Sequence, residues 1–155
     1  MPVIEGSTHD EFTIFTALFV EPLLGSAIPP AFYPIVVGVL ASTLGLDATG
    51  PEIAAQYPLS DYPSTLLAIS AIGTDAIFAC PARRVAADLS EHVPTWQYEL
   101  NDPNAPQIFV PPSSYPFGSY HAADVLYLFD SPLRGGHAPF DAPLPATRMS
   151  GRTPQ

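Results

Sequence analysis

The chain has 155 residues, of which 47% are hydrophobic and 13% charged, a size and composition that suit one domain with one core. Its formal net charge is −10, from 15 acidic residues against five arginines and no lysine. That balance excludes nucleic acid and anionic membrane surfaces as partners, since both need clustered cations.

Met1-Pro2-Val3-Ile4 reads as a truncated strand and Glu5 to Glu11 as the loop after it. No basic stretch followed by an apolar one opens the chain, so no secretion signal is visible and localisation stays unknown. Phe12 to Val20 is apolar on most sides and predicts a buried helix that Glu21-Pro22 ends. Residues 23–63 read as short helices and loops broken by Pro and Gly. Pro51 suits the first position of a helix through Gln56, and Tyr57-Pro58 stops it. Such a region fits the irregular wall of a binding cleft and fits a poorly regular core equally well. The run Ile35 to Leu46 is too short to span a bilayer, and no transmembrane segment is expected.

Ser64 or Thr65 can cap a helix through Ile72 that Gly73 closes. Thr74 then caps a second helix, with Ile77, Phe78, Val85 and Leu89 as its apolar positions and Pro81 kinking or dividing it. Cys80 is the sole cysteine; it excludes an internal disulfide or a cysteine zinc site and reads as a small buried hydrophobe. Trp96, Tyr98 and Leu100 alternate with Thr95, Gln97 and Glu99, which is a strand. Pro103, Pro106, Pro111, Pro112 and Pro116 mark a long ordered loop. Ala122, Val125, Leu126 and Phe129 fall at i, i+3, i+4 and i+7, one face of a helix with His121 at its entry. A domain over 1–130 is expected to be followed by a Pro/Gly-rich, disordered tail over 131–155.

Helices feeding strands, with loops between, give an α/β class with few parallel strands, several helices and long Pro-rich loops. Asp10-Glu11 and His121 each follow a strand, and in parallel sheets functional residues collect at the carboxyl ends. A carboxylate and an imidazole there are the acid and base half of a nucleophilic triad. Acid before His is the order of the α/β-hydrolases. A metal site on His9, Asp10 and Glu11 is disfavoured, because neighbouring residues point in different directions and no second His lies at helical spacing. No metal and no cofactor are expected.

Four blocks, in order, resemble the type B carboxylesterases, the family of cholinesterases and p-nitrobenzyl esterases. Gly6-Ser7-Thr8-His9-Asp10-Glu11 with Phe15 is similar to the family's acid loop. Thr74 to Pro81 is similar to its D-x-x-F-x-C-P helix, and Pro94 to Asn101 to the strand before its His loop. Gly118-Ser119-Tyr120-His121-Ala122-Ala123-Asp124-Val125 resembles G-x-x-HAAEL. Phe12 stands where the family has Gly, and Asp124 where it has Glu. The resemblance implies that Glu11 is the triad acid, His121 the base and Asp10 a support for the acid loop. It also implies that residues 1–130 are the C-terminal portion of an α/β-hydrolase fold.

No G-x-S-x-G nucleophile elbow occurs in these residues, and Ser7, Ser113 and Ser119 do not sit on one. The implied function is therefore a carboxylic-ester hydrolase working by Ser-His-Glu acyl transfer, to which this chain supplies acid and His but not Ser, so that it is inactive alone. Its partner is a small-molecule ester once an N-terminal portion completes it. The alternative is a non-catalytic α/β-hydrolase-like domain that binds a partner through an open sheet edge, and such an edge also invites self-association. If Glu11 and His121 lie far apart, the chain is an unrelated small α/β domain with a structural His.

Overall fold

A computed structural model describes residues 1–108 and 110–128. Two strands, β1 (Val3–Thr8) and β2 (Thr95–Leu100), pair in parallel with Val3 opposite Thr95 and Thr8 opposite Leu100. Around them lie α1 (Thr13–Leu24), α2 (Pro30–Thr43), α3 (Gly50–Gln56), α4 (Thr65–Ser90) and the single-turn α5 (Val125–Leu128). Helices with a two-stranded parallel sheet are compatible with the expected α/β class. Phe129 and the expected tail over 131–155 lie outside the described residues.

β1 is longer than its local sequence predicts: Glu5 to Thr8 belong to the strand and not to a loop. Gly6 is a poor strand residue by itself, but the Tyr98 ring lies over it where any added Cβ would collide. Pairing with β2 and this close approach override local preference. On the apolar face of β2, Trp96 is exposed and Leu100 is buried.

Pro22 does not end its helix, and Pro81 does not divide its own. Pro22 lies inside α1 and Pro81 inside α4. In a regular α-helix each would leave a carbonyl without its donor and press its ring against it. Both are preceded by a π-helical turn, Thr16–Val20 in α1 and Thr74–Ala79 in α4. The amide just before each proline reaches back five residues, Glu21 to Thr16 and Cys80 to Asp75. The wider turn makes room for the ring and keeps the helix continuous. Gly73 therefore sits in helical conformation instead of closing a helix, and the Thr74 hydroxyl accepts from the Phe12 amide at 3.0 Å instead of capping its own helix.

The extra residue also rotates the remainder of the helix about its axis. Cys80 and Val85, expected to be buried, are exposed, and Ala86 takes the core position. The continuous α4 is long and apolar enough to cross a bilayer, counter to the expectation that no such segment exists. Its Leu66, Ile69 and Ile72 are buried in the core with Val37 and Ala41 of α2. A buried bond from the Ser70 hydroxyl to that of Thr16 ties α4 to α1 at 2.8 Å.

Two expected helix starts form, at Ser64 and at Pro51. Ser64 accepts from the Leu67 amide at 3.2 Å. Thr49 and Glu52 make a capping box before α3, with Pro51 in the first turn.

Gly6→Ala should lower the unfolding free energy in urea by about 1–3 kcal/mol, since its Cβ has no space beneath the Tyr98 ring. The same substitution made together with Tyr98→Ala should cost less than the two singles combined. Strict additivity would show that the ring does not hold this position.

Candidate functional site

The parallel sheet brings the two candidate loops out at the same end, one after Thr8 and the other downstream of Leu100. Glu11 is 5% exposed. Its Oε1 accepts the Thr8 amide at 2.7 Å and its Oε2 lies 2.6 Å from His121 Nδ1, so a sequence separation of 110 is closed by the fold. An ionised carboxylate only accepts, so the proton of this bond sits on Nδ1, and in the neutral ring Nε2 is the nitrogen that holds the lone pair. The imidazole packs against Phe15 and Phe78, with ring centres 5.3 and 5.1 Å away, while 47% of the His121 side chain stays open. One nitrogen is thus committed to a buried acid, and the other lies on the far side of a ring that reaches solvent.

Asp10 supports the arrangement by stitching the two loops together. Its amide donates to the Ser119 carbonyl at 3.0 Å and its Oδ2 accepts the Ser119 amide at 2.9 Å. Gly118 has φ +59°, and a Cβ there would meet the Asp10 carboxylate, so the position requires glycine on two grounds. The Thr13 hydroxyl lies 2.7 Å from the Asp10 carbonyl and 2.8 Å from that of Phe117, and Tyr115 donates to the Thr13 carbonyl at 2.8 Å. The Pro-rich loop is folded back onto the start of α1 by these bonds.

His121 does not stand at the entry of a buried helix. Ala122 has φ +67°, which no α-helix contains, so α5 starts only at Val125. Ala122 and Val125, expected on a buried face, are exposed. The segment is anchored by the fully buried Ala123 and by two tyrosine–aspartate bonds. Tyr98 donates to Asp124 at 2.7 Å and Tyr127 to Asp102 at 2.6 Å. Sequence spacing carried no sign of these pairs, because each joins residues 25 or 26 apart across a loop.

The other candidates diverge. His9 Nδ1 lies 2.6 Å from Glu99 at the surface, Asp10 binds Ser119, and Glu11 turns to His121, so the three neighbours face three ways. Among the described residues no group of three His, Cys, Asp or Glu is placed to hold a metal. Ser119 is fully buried and exchanges bonds with the Asp102 backbone, and Ser113 is bound to Tyr115. Ser7 lines a cavity at the carboxyl end of the strands, a cavity that neither Glu11 nor His121 lines.

No protein-family model and no curated protein matches this chain.

Replacing Asp10 by Ala leaves the Ser119 amide without its partner and should cost about 1–3 kcal/mol in urea unfolding. It should also shift the His121 ring resonances in NMR spectra. Unmoved resonances would show that Asp10 does not position the ring.

Burial, then the bond to Asp124, pushes the Tyr98 hydroxyl up to about 12, and burial, then Tyr62, pushes Tyr33 up to about 12. Burial first, then the bond to Asp102, raises Tyr127 as well. The unfolded chain titrates these phenols near an ordinary value of about 10, so the fold holds them neutral over a window where the unfolded chain loses protons. Their stabilisation is complete below about pH 10 and is lost as pH rises towards about 12. Urea unfolding free energies should therefore fall over that window, and less steeply in Tyr98→Phe. A flat profile would contradict the assignment.

Proposed function

We propose that this chain is the acid–base half of a carboxylic-ester hydrolase, built as the C-terminal portion of an α/β-hydrolase fold. The observation that carries the reading is the bond between a buried Glu11 and a half-exposed His121 at the carboxyl end of a parallel strand pair. The nucleophilic Ser comes from polypeptide outside these residues, since they hold no G-x-S-x-G.

Chemically, Nε2 of His121 takes the proton of that Ser as its oxygen attacks the ester carbonyl. Glu11 steadies the imidazolium that forms. The proton then passes to the departing alcohol, leaving an acyl-serine. A water, deprotonated by the same nitrogen, attacks the acyl carbon and releases the acid. Phe15 and Phe78 hold the ring in its plane of action and keep the apolar side of the pair dry. The reacting molecule is a small ester.

The departures from the carboxylesterase pattern have local physical accommodation. Phe12, where the family has Gly, lays its ring on Gly73 of α4, where a Cβ would collide with it. Asp124, where the family has Glu, accepts from Tyr98 and holds the His segment.

The test joins this chain to the polypeptide encoded immediately upstream and follows p-nitrophenyl butyrate hydrolysis. Turnover is expected in the joined protein and not in the chain alone. His121→Ala should lower kcat by about 10⁴-fold or more, and Glu11→Gln should cause a large but smaller loss. Turnover that survives His121→Ala would sink the reading.

A further inference from the structure

α4 reaches both members of the acid–base pair through a single turn. The Thr74 hydroxyl accepts the Phe12 amide at 3.0 Å, and Phe12 follows Glu11 directly in the chain. The Phe12 ring lies on Gly73, with no room for a Cβ between them. Four residues after Thr74, Phe78 packs its ring against the His121 imidazole at 5.1 Å and against Phe15 at 5.8 Å. Phe15 in turn lies 5.4 Å from Phe12. These contacts close a circuit from the acid loop through α4 to the imidazole.

A regular α-helix would not close it. At about 100° per residue, Gly73 and Phe78 would point about 140° apart. The π-turn Thr74–Ala79 bonds residues five apart, Cys80 to Asp75, and so sets such residues close to one line along the helix. Gly73 and Phe78 therefore share the side on which Phe12, Phe15 and His121 meet them. Thr74 is buried, so the amide it satisfies has no ready substitute in water.

We propose that Thr74 is a positioning residue for the ester hydrolysis: through the π-turn that it opens, it fixes Glu11 and the His121 ring relative to one another. Its hydroxyl holds the backbone next to Glu11, and the same turn presents Phe78 to the imidazole. A shift of the turn that frees one partner frees the other, so acid and base keep their angle or lose it together. The inference rests on the hydrolase reading for the reaction that it serves, but not for the coupling of the two side chains.

The experiment is NMR of the full chain at a pH where the imidazole is neutral. The ring nitrogen shifts of His121 report which nitrogen carries the proton. Thr74→Val keeps the shape and removes the acceptor. It should lower the share of the Nδ1-protonated ring and speed exchange of the Phe12 amide by about tenfold or more. Thr74→Ser restores the hydroxyl and should bring both back. Ser70→Ala removes another buried bond between α4 and α1, that to Thr16, one turn earlier. It should lower stability to urea while leaving the His121 shifts in place.

Unmoved His121 shifts in Thr74→Val overturn the proposal. An equal movement in Ser70→Ala also overturns it, since any loosening of α4 would then suffice. Phe78→Leu reads the circuit from its other end and keeps the test decisive if Thr74→Val does not fold. It should speed the Phe12 amide by about threefold or more, and an unchanged amide overturns the coupling. In the protein joined to its upstream polypeptide, Thr74→Val should lower kcat by about tenfold or more with KM unchanged, and Thr74→Ser should restore it. No esterolysis in the joined protein, with the NMR changes present, counts against the hydrolase reading alone and supports the coupling. Esterolysis that needs His121 but ignores Thr74 counts against the positioning role alone.

Discussion

The parallel pairing of β1 with β2 is the constraint on which the candidate site depends. Two antiparallel strands would send their following loops to opposite ends of the sheet. Parallel strands send both to the same end, and here one loop carries Glu11 and the other His121. The register is held from two sides: the Tyr98 ring admits only glycine at position 6, and the backbone bonds run on past both strands to Pro94 and His9. A one-residue slip would put Tyr98 over Ser7 or Glu5 and turn every side chain of β1 to the other face.

Beyond the sheet, the pair is held by polar contacts together with the core residues Tyr120 and Ala123 on either side of His121. Asp10 stitches the loops by two backbone bonds, and Thr13, Tyr115, Ser119 and Tyr98 each spend a hydroxyl on the same region. Inside a low-dielectric interior such bonds are directional and costly to leave unmade, which suits a site that must hold an imidazole at one angle. The aromatic contacts of Phe15 and Phe78 add shape. They also explain why the π-turns matter to the site: Phe15 lies just before one and Phe78 within the other.

Those π-turns are where reading the chain residue by residue goes astray. Glu21-Pro22 and Cys80-Pro81 look like helix stops because an isolated α-helix cannot absorb a missing donor. Each helix absorbs it by adding a residue to the turn before the proline, at a position packed against its neighbour, where tertiary contacts outweigh the loss of a regular hydrogen bond. The consequence is a single 26-residue α4 in place of two short helices, and a changed set of buried positions after Cys80.

The alternation of β2, the cap at Ser64 and the limits of α3 were readable from the chain, because each depends on residue type at short spacing, whereas Glu11, His121 and Asp10 became candidates through the resemblance of their loops to known motifs. Composition likewise bounded the partners, since charge is a sum over residues and does not depend on the fold. The true length of β1, the continuity of α1 and α4, the left-handed Ala122 that shortens α5, and the tyrosine–aspartate anchors were decided only by tertiary structure. So was the 2.6 Å between Glu11 and His121. Nothing local can force residues 110 apart to touch; only the closure of a parallel sheet, with its loops stitched by Asp10 and Ser119, makes that contact.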